Sequence, residues 1–302
     1  MATLVFGHTS PDTDTIVSAI ALASFLDDAE ACALGEPNKE TAYVLEKFSL
    51  DTPRIIEKVA GQKVAIVDTT ELSQLPSDIE QAEIERVVDH HRLGGLTTAA
   101  PVNVDVRPWG CTSTVVWSLF IDIFGRAVPK NIAGAMVCAI LSDTVLFKSP
   151  TTTKYDRRAV EELASTAGIE DVEGLGMEML KVKSSIADDS AADLVKRDYK
   201  DFDFNGKKVG IGQVELVELA MIDPKLDDLK AELQKLKTDG EYWGVIMLIT
   251  DIMKEGSLVV AYTDDDAEVG RILGGELVNG QGWIDGIMSR KKQVAAPLAA
   301  EL

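Results

Sequence analysis

The stretch Ala2-Thr-Leu-Val-Phe-Gly-His8-Thr-Ser-Pro-Asp12-Thr-Asp14-Thr-Ile-Val-Ser-Ala-Ile-Ala-Leu-Ala-Ser-Phe-Leu26 reads as three pieces in direct succession. Ala2–Gly7 is an apolar run of strand length, and Thr15–Leu26 places Ile16, Ala19, Ile20 and Ala23 on one helical face. Between them lies a loop that Pro11 keeps out of helical geometry, carrying His8, Asp12 and Asp14. Strand–loop–helix units of this kind build parallel sheets, and ligand sites form beyond the carboxyl ends of their strands. Asp12 and Asp14 also suit an N-cap with an acidic neighbour. His8, four residues upstream of Asp12, tips the reading towards metal ligation.

Working outward, the alternation continues to about residue 185. Ala31–Leu34 reads as a short strand and Thr41–Phe48 as a helix. Lys63–Val67, rich in β-branched residues, is a second strong strand and ends at Asp68. Arg86–Val88 runs into Asp89-His90-His91, and Val102–Val106 is a further strand. Thr112–Phe124 and Asn131–Leu141 look like buried helices, the second followed by Asp143. Strands alternating with helices predict an α/β domain over residues 1–185 with a doubly wound, mostly parallel sheet.

The segment Lys183–Ser190 is small and polar and reads as a hinge or linker. Beyond it the texture changes. Asp198–Phe204 and Lys208–Val214 flank Asn205-Gly206, a strong hairpin signal. Leu226–Leu236 is helical, Trp243–Asp251 and Leu258–Thr263 are strands, and Asp264-Asp-Asp266 is a turn. A smaller mixed α+β domain is therefore expected at 191–302.

Composition narrows the function classes. Fifty acidic residues against thirty basic ones give a formal charge of −20, which argues against a nucleic-acid partner because phosphate-backbone binding needs a basic face. No apolar run reaches the roughly 18 residues needed to span a bilayer, so no membrane association is expected. The chain opens on a strand without a leader pattern, and Cys32, Cys111 and Cys138 are scattered with no Cys-x-x-Cys. These features predict reduced thiols and a cytoplasmic location.

All three histidines fall in two acidic clusters, His8–Asp14 and Asp89–His91. Imidazole nitrogens with carboxylate oxygens and no thiolate form a ligand set for a divalent metal of borderline hardness. Asp68 at a strand end is costly unless paired or metal-bound, although acids at strand ends are common in α/β proteins. Asp143 likewise fits either a ligand or the polar end of a helix. Adjacent histidines can divide labour, one ligating metal and the other facing substrate, while a preceding aspartate orients a ring through its second nitrogen. No Walker loop, nucleophile elbow or His-Glu-x-x-His motif supports other chemistry.

Taken together, His8, Asp12, Asp14, Asp68, Asp89, His90, His91 and Asp143 resemble the DHH phosphoesterase superfamily and, within it, the family II, manganese-dependent inorganic pyrophosphatases. Gly110-Cys-Thr-Ser-Thr114, Leu141–Thr151, Arg197-Asp-Tyr-Lys200 and Ser289-Arg-Lys-Lys-Gln293 extend the resemblance from residue 5 to residue 293. It implies two Mn²⁺ ions per subunit, replaceable by Co²⁺ or Mg²⁺, with additional Mg²⁺ arriving on the substrate. His8 and Asp12 would hold one ion, Asp14, His90 and Asp143 the other, and Asp68 would bridge them. Asp89 would support from behind, and His91 would contact the oxygen of the departing phosphate. Lys200, Arg290 and Lys291 of the C-terminal domain would bind substrate, which implies an active site in the cleft between the two domains.

The implied reaction is hydrolysis of pyrophosphate to two orthophosphates by a hydroxide that two metals activate, with Asp68, His91, Lys200 and Arg290 carrying catalysis. A homodimer through the N-terminal domains is also implied. A short-chain exopolyphosphatase of the same superfamily is the alternative, since such enzymes can share the Arg-Lys-rich terminus. Charge arithmetic points the same way. Two divalent ions cancel the carboxylates of Asp12, Asp14, Asp68 and Asp143, leaving the three C-terminal cations to meet an anionic substrate.

Overall fold

In the computed structural model, which describes residues 2–122 and 125–302, the opening stretch forms β1 (Thr3–Phe6) and α1 (Thr13–Ala23). The helix starts two residues earlier than its apolar spacing suggests. Asp12 caps it, Oδ1 accepting the Thr15 N–H at 3.0 Å. The chain separates into two compact units, Met1–Lys183 and Ser184–Leu302.

The first unit adds β2 (Ala29–Ala33), α2 (Lys39–Lys47), β3 (Arg54–Ile55), β4 (Lys63–Val67), β5 (Glu83–Asp89) and β6 (Asn103–Val106). Helices α3 (Thr112–Asp122), α4 (Lys130–Asp143), α5 (Lys154–Ala167) and α6 (Val172–Lys183) follow. The six strands lie in the order β3-β2-β1-β4-β5-β6, and every pairing is parallel. From β1 the chain builds outward to β3, then returns to lay β4 against the other side of β1. Strand order therefore reverses between β1 and β4, the position at which open α/β sheets bind ligands.

Helix α4 is buried from Ile132 to Ser142, which explains why its sequence is apolar on all sides. The last two residues of the expected helix Thr112–Phe124, Ile123 and Phe124, lie outside the described residues. Among the described strands and α-helices of this unit, β3, α5 and α6 were not anticipated. α5 carries Ala159, Val160, Leu163, Ala164 and Ala167 as a buried stripe in an otherwise polar run, and it opens on a capping box between Thr153 and Asp156.

In the second unit, α7 (Ala191–Lys196) precedes β7 (Tyr199–Phe204) and β8 (Lys207–Leu216). Asn205 and Gly206 join these strands with φ of 52° and 86°, the two left-handed positions of a tight hairpin. Then come α8 (Leu226–Asp239), β9 (Gly244–Asp251), β10 (Gly256–Thr263), α9 (Asp266–Ile272), β11 (Gln281–Asp285) and α10 (Ala296–Glu301). The sheet order is β11-β10-β9-β8-β7, with only β8 and β9 parallel. Val209, Ile211, Ile246 and Leu248 pack with Val269 and Leu298 on one face, while Val245, Met247 and Ile249 pack with Leu194, Leu229 and Leu233 on the other.

Asp264-Asp-Asp266 is not the simple turn expected. Asp265 caps α9 by accepting the Glu268 N–H at 2.9 Å, so Asp266 is already helical. The mixed α+β composition is as expected. Among the described residues, no helix is long and apolar enough to cross a membrane.

Candidate metal centre

Strands β1, β4 and β5 are neighbours, and their carboxyl ends deliver His8, Asp68 and Asp89-His90-His91 to one place. Gly7 is required for this convergence. A Cβ there would lie 2.7 Å from both Thr15 Cγ2 and the Val67 carbonyl, forcing apart the ends of β1 and β4. Asp68 adopts a left-handed φ of 62°, a conformation that aspartate tolerates better than most residues. The turn aims its carboxylate back over the strand ends, where it is 2% exposed.

Asp68 is the hub. His8 Nε2 lies 3.4 Å from Oδ2, and His90 Nε2 lies 3.5 Å from Oδ1. Thr15 donates to Oδ2 at 2.5 Å and Thr112 to Oδ1 at 2.9 Å. Three overlapping sets of ligand atoms gather within 4.8 Å: His8, Asp12 and Asp68; Asp14, His90 and Asp143; and Asp68, His90 and His91. A cavity of about 360 Å³ opens over them, lined in part by His8, Asp12, Asp68, His90, His91 and Asp143.

The donors are oxygen and nitrogen only, suited to manganese, magnesium or cobalt. Without cations the cluster is electrostatically incomplete. Burial, followed by the nearby Asp14 charge, pushes the Asp68 carboxyl up to about 6. Burial and the charges of Asp14, Asp68 and Asp12 push Asp143 well above the ordinary carboxylate range. Divalent cations would remove both penalties, so the residues present fit such ions.

Asp14 behaves differently. Burial works against its ionisation, but His90 and hydrogen bonds from Cys111, Ser113 and Thr112 overcome this and hold its carboxyl below the usual range. The start of α3 forms the cradle: the backbone N–H groups of Thr112 and Ser113 donate at 2.6 and 2.8 Å, and the Ser113 hydroxyl at 2.7 Å. Helix N-termini favour such an anion. Gly110-Cys-Thr-Ser-Thr114 thereby acquires a role that spacing alone did not suggest.

Asp89 is fully buried, and its Oδ1 accepts the backbone N–H of His90 at 2.7 Å, that of His91 at 3.0 Å and His91 Nδ1–H at 2.9 Å. The hydrogen bond to Asp89 outweighs desolvation and pushes the His91 imidazolium up to about 9. The His90 ring is oriented instead by the Trp109 carbonyl, 3.1 Å from Nδ1, a backbone partner invisible to sequence reading. Asp156 is a further residue that the motifs missed. It accepts the Gly110 N–H and the Thr114 hydroxyl, which fixes the entry to α3.

Lys200, Arg290 and Lys291 belong to the second unit. Lys200 on β7 pairs in register with Ile211, whose carbonyl accepts from Arg290 Nη1 at 3.4 Å, so Arg290 is tied to the backbone position opposite Lys200. The Arg290 side chain is 10% exposed and pairs with Asp198 at 2.9 Å, while its buried Nε has no hydrogen-bond partner among the described residues. Gln213 accepts the Arg290 backbone N–H at 3.0 Å. Lys291 follows on the surface.

Residues 2–140 match the model of the DHH family N-terminal domain, and residues 177–300 match that of the DHHA2 domain. A manganese-dependent inorganic pyrophosphatase of Methanocaldococcus jannaschii is 43% identical, over 97% of both chains. One from Methanothrix thermoacetophila is 40% identical, over 97% of this chain and 96% of its own. A crystal structure from Methanococcus jannaschii, assigned to the family II inorganic pyrophosphatases, superimposes with a TM-score of 0.64 at 41% identity and 99% coverage of each chain. An exopolyphosphatase-related protein from Bacteroides fragilis shares the fold at 15% identity and a TM-score of 0.53. On its two domains and its near-complete alignment with these relatives, the chain belongs to the family II, manganese-dependent inorganic pyrophosphatases of the DHH superfamily.

Proposed function

We propose that this chain hydrolyses inorganic pyrophosphate to two orthophosphates with two manganese ions in its first unit. The observation carrying this reading is that two donor sets, His8 and Asp12 in one and Asp14, His90 and Asp143 in the other, meet at Asp68, whose buried carboxylate lies 3.4 Å from His8 and 3.5 Å from His90. In it, His8 and Asp12 would hold one ion, Asp14, His90 and Asp143 the other, and Asp68 would serve both. Cobalt or magnesium can take their place, and further magnesium arrives with the substrate. When bound, such a pair supplies charge neutralisation and makes a water acidic enough to act as a nucleophile near neutral pH.

The protein's own side chains then have distinct tasks. Asp14 stays ionised in the α3 cradle and holds its end of the site rigid. His91 is not a ligand in this reading, because its Nδ1 is committed to Asp89. Its Nε2–H is left to bond the oxygen of the departing phosphate and pass it a proton. Asp89 orients His91 and the backbone of the turn. Lys200, Arg290 and Lys291 bind phosphate oxygens, Arg290 exchanging its Asp198 partner for substrate.

Three buried free cysteines support a cytoplasmic location. The β6 edge of the first sheet, with Val104 53% exposed, supports a homodimer through the N-terminal units. Phosphate release from pyrophosphate with added Mn²⁺, abolished by a chelator, tests the activity. Tripolyphosphate in the same assay separates it from an exopolyphosphatase, since faster turnover of the longer chain would overturn the assignment.

A further inference from the structure

Glu40, in the first turn of α2, is a carboxylate with 1% exposure that neither the metal ligands nor the substrate cations account for. Oε2 accepts the Thr13 hydroxyl at 3.1 Å, and Oε1 accepts the Ser142 hydroxyl at 2.8 Å. Lys183 Nζ lies 3.3 Å from Oε2 and donates to Ser142 Oγ at 3.0 Å. Asn38 holds the start of α2 through the Thr41 N–H at 2.8 Å, and the Thr41 hydroxyl lies 3.0 Å from that of Thr13. Burying a carboxylate is expensive, and here every contact goes to a residue beside the metal centre or to Lys183.

The positions it touches are telling. Thr13 lies between Asp12, which belongs to the His8 set, and Asp14, which belongs to the His90 set. Ser142 immediately precedes Asp143. One side chain therefore ties the loop that feeds both donor sets to the helix end that completes the second. We propose that Glu40 is a positioning residue that fixes the spacing between the two cation sites by clamping Thr13 against Ser142. The proposal rests on the two-ion reading above. A carboxylate suits the task because it accepts from several donors at both ends, whereas an amide offers one oxygen only.

The test uses full-length protein and manganese alone as the probe. The spectrum of free Mn²⁺ is followed by electron paramagnetic resonance during titration, and the signal of the coupled ion pair is recorded at low temperature. Glu40→Ala loses both tethers. It should weaken the second manganese about 10–100-fold, alter the coupled-pair signal and lower kcat in proportion, with KM for pyrophosphate within about twofold. Glu40→Gln keeps one accepting end and should fall between Glu40→Ala and wild type, giving a readable result if the alanine variant fails to fold. Lys183→Met removes the ion pair but not the clamp and should bind manganese normally.

If both Glu40 variants melt at lower temperature yet titrate and couple manganese like wild type, the side chain is merely structural and the inference is overturned. A Lys183→Met defect equal to that of Glu40→Ala would overturn the clamp in favour of the ion pair. Wild-type protein that leaves the free-manganese spectrum unchanged would instead sink the two-ion reading and this inference with it.

Discussion

Replacing Asp68 by asparagine should stabilise the metal-free protein at alkaline pH while disabling it. The side chain is 2% exposed, and without cations its carboxyl titrates at about 6 rather than at the ordinary 3.8, through burial and then through Asp14. The unfolded chain therefore releases this proton first. The stability that the group contributes is fully present below pH 3.8 and is lost as pH rises through 6. At 1.36 kcal/mol per pH unit, the loss above pH 7 is about 3 kcal/mol, and Asp143, shifted the same way, adds to it.

Asparagine carries no charge to desolvate and accepts the left-handed φ of 62°. Its oxygen can take one hydroxyl, of Thr15 or Thr112, and its NH₂ can donate to the other. Thermal melts in chelator should therefore place Asp68→Asn roughly 6–12 °C above wild type at pH 8, with the two converging near pH 4. Manganese should raise the wild-type midpoint strongly and that of the variant little. Pyrophosphate turnover should fall about 10³-fold, close to 4 kcal/mol in the barrier. A variant less stable than wild type in chelator at pH 8 would refute the argument that the fold holds Asp68 against its own solvation.

Three further substitutions probe other parts of the reading. His91→Asn retains a donor to Asp89 but loses Nε2; kcat should drop about 10²–10⁴-fold with manganese affinity unchanged, and a parallel loss of affinity would make His91 a ligand. Arg290→Ala should lower kcat/KM for pyrophosphate about 100-fold, and Arg290→Lys should recover little of it because a lysine cannot form the bidentate contact; full recovery would reduce the role to simple charge. Gly134→Ala places a Cβ 2.1 Å from the Phe48 ring and should cost about 1–3 kcal/mol in a thermal melt, with activity per folded molecule preserved; an unchanged midpoint would show that the ring moves aside freely.

Much of the first unit was legible because its signals are local. β4 matches its expected bounds, since Lys63–Val67 is rich in β-branched residues and ends abruptly at a buried aspartate. Asp12 is the N-cap of α1 and also lies in a group of side chains able to hold a cation. Asp143 is likewise the last residue of α4 and part of another such group. Helix α5 escaped notice because its charged residues mask a narrow apolar stripe, although Thr153-x-x-Asp156 announces its start. The short strand β3 offers only two residues, too few for any periodicity.

Residue types and their local order were enough to specify a parallel α/β unit, a hairpin-led second unit and an N/O ligand set in two clusters. Those properties depend on interactions over a few residues, which a linear reading can see. Only the tertiary structure decided that β4 lies against β1 and so placed Asp68 between His8 and His90. It alone assigned Asp14 to the start of α3, 98 residues away, His90 to the Trp109 carbonyl and Glu40 to Ser142, 102 residues away. Which side chains meet across such separations is set by strand order and by the packing of helices on the sheet. Those are collective outcomes of burying the whole core, and no single segment encodes them.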